Sequence, residues 1–217
     1  MDSEKQRVVP ITEADLPAVA WVHLASFPES ALTKLGRGAV ERYYRWQLLG
    51  PHECTALGVW TDNKLVGFCF GGVFRGALGG FVQENRFYLA GQTLCRPWLL
   101  SNPIFRDRLK SGWASLRRIM RRKRSVSPIT KQNASIKKIQ CFGILSIAVH
   151  PGHAGSGLGR WLMQEAERVA REKGFEAMDL SVHPDNVVAV QFYERLKWEK
   201  VFQKGSWQGV MKKALSN

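Results

Sequence analysis

Hydrophobic positions switch between two periods along this chain, and the switches mark its elements. Val8-Val9-Pro10-Ile11 is a short strand. Thr12, with Glu13 and Asp15 close behind it, is an N-cap for a helix over about 13–25. Phe27-Pro28 breaks that helix, and a second is predicted over roughly 38–49, with Val40, Tyr43, Tyr44 and Leu48 facing inward and Gly50-Pro51 as its stop. Two β-rich runs, 55–60 and 65–70, flank Asp62-Asn63 and predict a hairpin. Over 76–103, Gly76, Gly79, Gly80 and Pro97 argue against one continuous element. The helical period returns with Phe105, Leu109, Trp113, Leu116 and Met120, one apolar stripe among arginines and lysines. A polar loop over 125–135 precedes a nearly continuous apolar run at 139–149, the pattern of a central strand covered on both faces. A glycine-rich loop follows, then a helix over about 157–173 that buries Leu158, Leu162, Ala166, Val169 and Ala170, with Gly174 beyond its end. Residues 177–182 read as a strand. Pro184-Asp185-Asn186 turns into a helix bearing Ala189, Phe192, Tyr193 and Leu196, and closing strands lie either side of Gly205. There is no internal repeat.

Length changes this picture little: 217 residues suit one well-buried domain over 1–217 and would be cramped for two. The longest apolar run, 65–74, is about half the ~20 residues of a membrane span. Cys54, Cys69, Cys95 and Cys141 lie far apart with no C-x-x-C, which argues against a disulfide framework or a zinc site. With a charged N-terminus lacking the apolar core of a signal peptide, a cytoplasmic protein without a bound metal is expected.

Charge changes it more. Of a net +14, most sits in 104–138, which holds twelve Lys/Arg against Asp107 alone, while the remainder is close to balance. A basic helical insertion over about 76–138 is therefore expected in an otherwise balanced domain. It reads as a packed helix with solvated charge, as a site for an anionic substrate, or as a contact for an anionic membrane surface. Nucleic acid is the less favoured partner; any such contact would weaken with salt. Trp98, Leu99, Leu100 and Trp113 add apolar company that would suit a lipid-like substrate.

The candidate chemistry begins in the loop His150-Pro-Gly-His-Ala-Gly-Ser-Gly-Leu-Gly-Arg160. A P-loop is excluded, because Leu158 and Gly159 stand where Lys and Ser/Thr are required. A dinucleotide fingerprint fails on spacing, since Arg160 or Leu162 falls on its last glycine. What remains is a nest. Gly155, Gly157 and Gly159 let backbone N–H groups converge, a helix N-terminus lies behind them, and Arg160 can add a charge-assisted contact. Such a nest suits a pyrophosphate.

The stretch Leu145-Ser-Ile-Ala-Val-His-Pro-Gly-His-Ala-Gly-Ser-Gly-Leu-Gly-Arg-Trp-Leu162 resembles the acetyl-CoA signature of the GNAT N-acetyltransferase superfamily. Val182-His-Pro-Asp-Asn186, Ala189 and Phe192-Tyr-Glu-Arg-Leu196 resemble that family's second block, so the resemblance is specific from about 139 to 212. Two departures stand out. Ala154 falls where the family carries Gln or Arg, and Lys197-Trp198 falls on its Gly-Phe, so either Lys197 is left-handed or the helix ends differently. The resemblance implies an α/β fold with a mixed α+β sheet: a central, mostly antiparallel twisted sheet, flanking helices and one splayed strand pair.

The resemblance also implies acetyl-CoA as cosubstrate and a small-molecule primary amine as acceptor, with a homodimer among the expected assemblies. Pantetheine would pair with backbone groups of Ile147, Ala148 and Val149; Gly155, Ser156, Gly157, Leu158, Gly159 and Arg160 would hold the phosphates; Asn186 would contact pantetheine besides capping its helix. Tyr193 matches the tyrosine that protonates the leaving thiolate, and a phenol of pKa ~10 suits that task. The base is less defined. His183 and His150 follow the two strands that flank the splay; His183 is the first choice and His150 reads as a structural neighbour of the phosphates. Glu29 and Glu84 are reserves, while Ser146 and Ser181 are poor bases. An alternative function is a binding or regulatory protein on the same scaffold, using the basic segment to hold nucleic acid or membrane.

Overall fold

The computed structural model describes residues 6–95, 141–203 and 205–215. Strand β1 (Arg7–Pro10) leads into a 3-10 turn, Glu13–Asp15. At that turn the Asp15 carboxylate accepts hydrogen bonds from the Thr12 N–H at 2.8 Å and from its hydroxyl at 2.7 Å. Helix α1 (Leu16–Ser26) follows, beginning three residues later than a cap at Thr12 predicts. A short helix that the sequence did not predict, α2 (Ala31–Leu35), precedes the expected second helix, α3 (Arg37–Leu49). Val40 and Tyr44 of α3 are buried as predicted, and so is Gln47, which donates from Nε2 to the Ala77 carbonyl at 3.0 Å. Strands β2 (Glu53–Thr61) and β3 (Lys64–Val73) form the hairpin. Its turn residues Asp62 and Asn63 sit at φ 49° and 61°, the left-handed pair that a tight hairpin requires.

Beyond β3 come α4 (Ala77–Glu84) and α5 (Arg86–Leu94). Gly80 does not break α4. A Cβ there would lie 2.3 Å from the Trp46 ring, so this glycine lets α4 approach α3. The rest of the predicted insertion, including Trp98, Leu99, Leu100, the 105–120 stripe and the cationic run, lies outside the described residues.

The second half is β4 (Phe142–Val149), α6 (Leu158–Glu172), β5 (Ala177–Ser181), α7 (Val187–Arg195), β6 (Glu199–Gln203) and β7 (Ser206–Ala214). Among the described residues, the seven strands form one sheet, ordered β1-β2-β3-β4-β5-β7-β6. Only β4 and β5 run parallel; every other pair is antiparallel. The mixed sheet with flanking helices is the fold that the resemblance implies. One face is covered by α1 and α3, through Val19, Val22, Val40 and Tyr44 against Phe68 and Phe70. On the other face α6 and α7 bring Leu162, Met163, Ala166 and Tyr193 against Phe142, Met178 and Met211.

Both late helices end alike. After α6, Gly174 has φ 78°; its N–H meets the Arg171 carbonyl at 2.9 Å, and the Phe175 N–H meets that of Ala170 at 3.0 Å. After α7, Lys197 takes φ 65°, the first of the two expected endings; its N–H meets the Glu194 carbonyl at 2.9 Å, and the Trp198 N–H meets that of Tyr193 at 3.1 Å. This is the Schellman closure, here with a lysine in the glycine position at a cost of about 1 kcal/mol.

Candidate active site

The site begins where the parallel pair parts. Pairing between β4 and β5 covers only Phe142–Met178, Gly143–Asp179 and Ile144–Leu180. Beyond Ile144 the β5-facing edge of β4, from Leu145 to Val149, has no partner on β5. Strand β5 instead continues along β7, to Ser181–Val210, and the Val182 N–H reaches the Gly209 carbonyl at 2.9 Å. This opening explains one departure from expectation. Strand β4 was expected to be covered on both faces, yet Leu145, Ser146, Ile147 and Val149 are only half-buried.

At the same point β4 carries a bulge. Ser146 pairs with Phe70 of β3 and Ile144 with Gly71, leaving Leu145 as the extra residue. An extra residue reverses the alternation of faces. Ile144 and Ile147 pack into the core under α6, whereas Leu145 packs under α1 and α3 and the Ser146 hydroxyl bonds to Tyr44 of α3.

The glycine loop takes the chain from the open edge into α6. Pro151–His153 forms a 3-10 turn, its start held by the His150 ring accepting from the Gly152 N–H at 3.1 Å. The Ser156 hydroxyl donates to the His153 carbonyl at 2.6 Å. Gly155 and Gly157 have φ of 78° and 84°, and a Cβ on either would meet nothing within 4 Å. They are there for backbone conformation, not for space. Gly159 differs: it lies within α6 at a helical φ, and a Cβ would make ordinary contact with Phe192 of α7, 3.5 Å from Cζ. The first N–H groups of α6 have no partner within the helix, and Ala154, Gly155, Ser156, Gly157 and Arg160 are exposed. The result is a cradle of donors at the positive end of a fifteen-residue helix. His150 is held by stacking on Trp21, with ring centroids 4.1 Å apart and an 8° interplanar angle, a contact that suits the structural reading.

Tyr193 is buried beside Phe192 and Trp198. Its hydroxyl bonds to no other described residue, and burial pushes its pKa up, so the phenol stays protonated. Asn186 caps α7, accepting from the Ala189 N–H at 3.2 Å. His183 is on an exposed turn, its side chain 76% accessible, with Nδ1 accepting from the Asp185 N–H at 3.3 Å. Ser181 is exposed as well. Glu29 pairs with Lys34 at 2.7 Å, and Glu84 lines a shallow pocket with Arg42, Arg45 and Trp46. Among the described residues, no cluster of three or more His, Cys, Asp or Glu is placed to hold a metal, and no helix is long and apolar enough to cross a membrane.

One set of residues escaped the sequence. His23 of α1, Tyr44 of α3 and Ser146 of β4 are joined by side-chain hydrogen bonds of 2.9 Å each. The partners are 21 and 102 residues apart, and His23 carries no local pattern that would single it out.

Residues 111–198 match the family described as Acetyltransferase (GNAT). No curated protein matches the chain in sequence. Among solved structures, the ribosomal-protein-S18-alanine N-acetyltransferase from Escherichia coli is similar at TM-score 0.56 and 14% identity, over 98% of this chain and 96% of that one. The PaiA N-acetyltransferase from Thermoplasma acidophilum, solved with coenzyme A, also gives TM-score 0.56 and 14% identity, over 97% and 99% of the two chains. A GNAT family acetyltransferase from Brucella melitensis, solved with acetyl-CoA, gives 0.52 and 11%, over 99% and 91%.

Proposed function

We propose, on the premise of the match of residues 111–198 to the GNAT acetyltransferase family, that this chain moves an acetyl group from acetyl-CoA to the primary amine of a small acceptor by direct attack. The observation that carries this reading is the freed edge of β4 beyond Ile144, running straight into a glycine cradle at the N-terminus of α6. When bound, acetyl-CoA supplies the acyl group as a thioester, whose sulfur leaves with the electron pair of the broken bond. The chain's residues fit that donor. The backbone of Ile147, Ala148 and Val149 would hold its extended arm and polarise the carbonyl. The N–H groups of Gly155, Ser156, Gly157, Leu158 and Gly159 would hold its pyrophosphate, with Arg160 supplying the charge that Ala154 lacks. Asn186, its Oδ1 engaged by the helix cap, keeps its amide N–H groups for the same arm.

Tyr193 would stabilise the leaving sulfur. Burial keeps it a hydrogen-bond donor at neutral pH; the same burial makes it a weaker acid, so its main contribution is the hydrogen bond to developing negative charge. His183 would take the proton that the attacking amine loses. The basic segment supports an anionic acceptor, or one presented at an anionic surface.

Thermal shift with acetyl-CoA and with CoA tests the donor site, and free-thiol release over spermidine, glucosamine and an alanyl tripeptide tests transfer. Stabilisation by both ligands with thiol release on at least one amine is the expected result. A melting temperature that neither ligand moves would remove the acyl-transfer reading.

A further inference from the structure

The hydrogen bonds that run from β4 into α1 extend further than three residues. His23 Nε2 lies 3.2 Å from the Ser30 hydroxyl; Ser30 donates to the Thr33 hydroxyl at 3.0 Å; Thr33 donates to the Phe27 carbonyl at 2.7 Å. A carbonyl oxygen only accepts, and that fixes the direction of the whole chain. Thr33 spends its hydroxyl hydrogen on Phe27, so Ser30 spends its own on Thr33. The hydrogen between His23 and Ser30 must then be on His23 Nε2. Burial lowers the His23 pKa to about 4, so its ring is neutral and Nδ1 carries no hydrogen. Tyr44 therefore donates to Nδ1, and Ser146 donates to Tyr44. Every hydrogen in the chain points away from β4.

The consequence falls on Ser146. Its single hydrogen is committed to Tyr44, so its remaining hydrogen-bonding capacity is that of an acceptor alone. It is half-buried, two residues beyond the last β4–β5 pair, on the freed stretch of β4. The bulge at Leu145 turns it to the α1 and α3 face, opposite the face that α6 covers. An amine entering along the freed edge on that face would thus meet an oxygen with only lone pairs to offer.

We propose that Ser146 accepts a hydrogen bond from the N–H of the acceptor amine, and that Tyr44 and His23 are positioning residues that hold its hydroxyl in that sense. This rests on the acyl-transfer reading and deepens it. Ser146 removes no proton; it orients the nitrogen, and it selects an acceptor that keeps an N–H during attack, a primary or secondary amine. Hydroxyl acceptors would have no hydrogen left to offer once the attacking proton is lost.

Two measurements on the full chain test this. With 15N-histidine labelling, the imidazole nitrogen shifts report the tautomer at neutral pH. Nε2–H on His23 is expected; Nδ1–H, or an imidazolium, overturns the proposal. In the thiol-release assay with the same three amines, Ser146→Ala and Tyr44→Phe should raise the amine KM by about tenfold or more, the scale of a hydrogen bond to a charged group. Acetyl-CoA affinity by calorimetry should not move, and Ser146→Thr should restore the amine KM. An amine KM in Ser146→Ala within about twofold of wild type, with wild-type turnover intact, overturns this proposal alone. Wild-type protein that binds acetyl-CoA but releases no thiol with any of the three amines removes the acyl-transfer reading and this one with it.

Discussion

Tyr193 shows how one side chain can be structural by its ring and chemical by its hydroxyl. The ring fills the core between Phe192 and Trp198, and the hydroxyl bonds to no other described residue. Tyr193→Phe keeps the ring and removes a group that stabilises nothing visible in the fold. Turnover should then fall by roughly 100-fold, the low end for a lost donor to developing negative charge, with the dissociation constant of acetyl-CoA and the unfolding midpoint unchanged. Steady-state kinetics beside calorimetry and a thermal melt check all three; full activity in the variant would take the role away from Tyr193. The match of this residue to the resemblance rests on its local spacing from Asn186 and Ala189. The left-handed Lys197 was among the endings the sequence offered, because its place just past a helix end is also a local feature. The His23–Tyr44–Ser146 set was not legible, because three unremarkable positions become one chain only when the sheet brings α1, α3 and β4 together.

At the scale of elements, the loop into α6 divides its glycines by physical role. Sequence grouped Gly155, Gly157 and Gly159 as one nest, yet only the first two have backbones that side chains resist. Gly157 stands before the first residue of α6 at φ 84° and ψ −7°. Gly157→Ala should cost about 1 kcal/mol of stability, and acetyl-CoA affinity should drop as the N–H groups behind it shift. Gly159→Ala sits at a helical φ, where alanine is favoured by up to ~1 kcal/mol, and its methyl would rest against Phe192 in ordinary contact. Denaturant titration should find it as stable as wild type or more so. Equal losses in the two variants would contradict this division. Elements with a strong period, such as α6 with Leu158, Leu162, Ala166 and Ala170 buried, were readable from the chain. Helix α2 was not, since five residues are too few to show a period. Nor was the Leu145 bulge, because an extra residue in a strand is defined only by the register of its neighbour.

At the scale of the molecule, the sheet separates the two proposed tasks among the described residues. The α6 face holds the glycine cradle and Tyr193; the α1 and α3 face holds the oriented Ser146. The second face depends on a histidine sealed in the core, 5% exposed and lowered by burial from its ordinary 6.5 to about 4. That dependence has a signature in acid. Between these two values the unfolded chain binds a proton at His23 that the folded chain refuses, so folding is opposed increasingly as pH falls. Full stability is present above the unfolded pKa and is lost on the way down through the folded one. From about pH 7 to about pH 4.5 this single site should withdraw about 2 kcal/mol. Other groups titrate over the same range, so the contribution is read as a difference. His23→Gln keeps a neutral polar side chain and cannot titrate; it should be less stable than wild type at neutral pH, having lost the fit to Tyr44 and Ser30, yet lose less on acidification. Denaturant titration of both proteins at the two pH values gives the comparison, and parallel losses would show that His23 is not held neutral. In that event Tyr44 would have no fixed acceptor at Nδ1, and the one-way order of hydrogens that ends on Ser146 would fall with it.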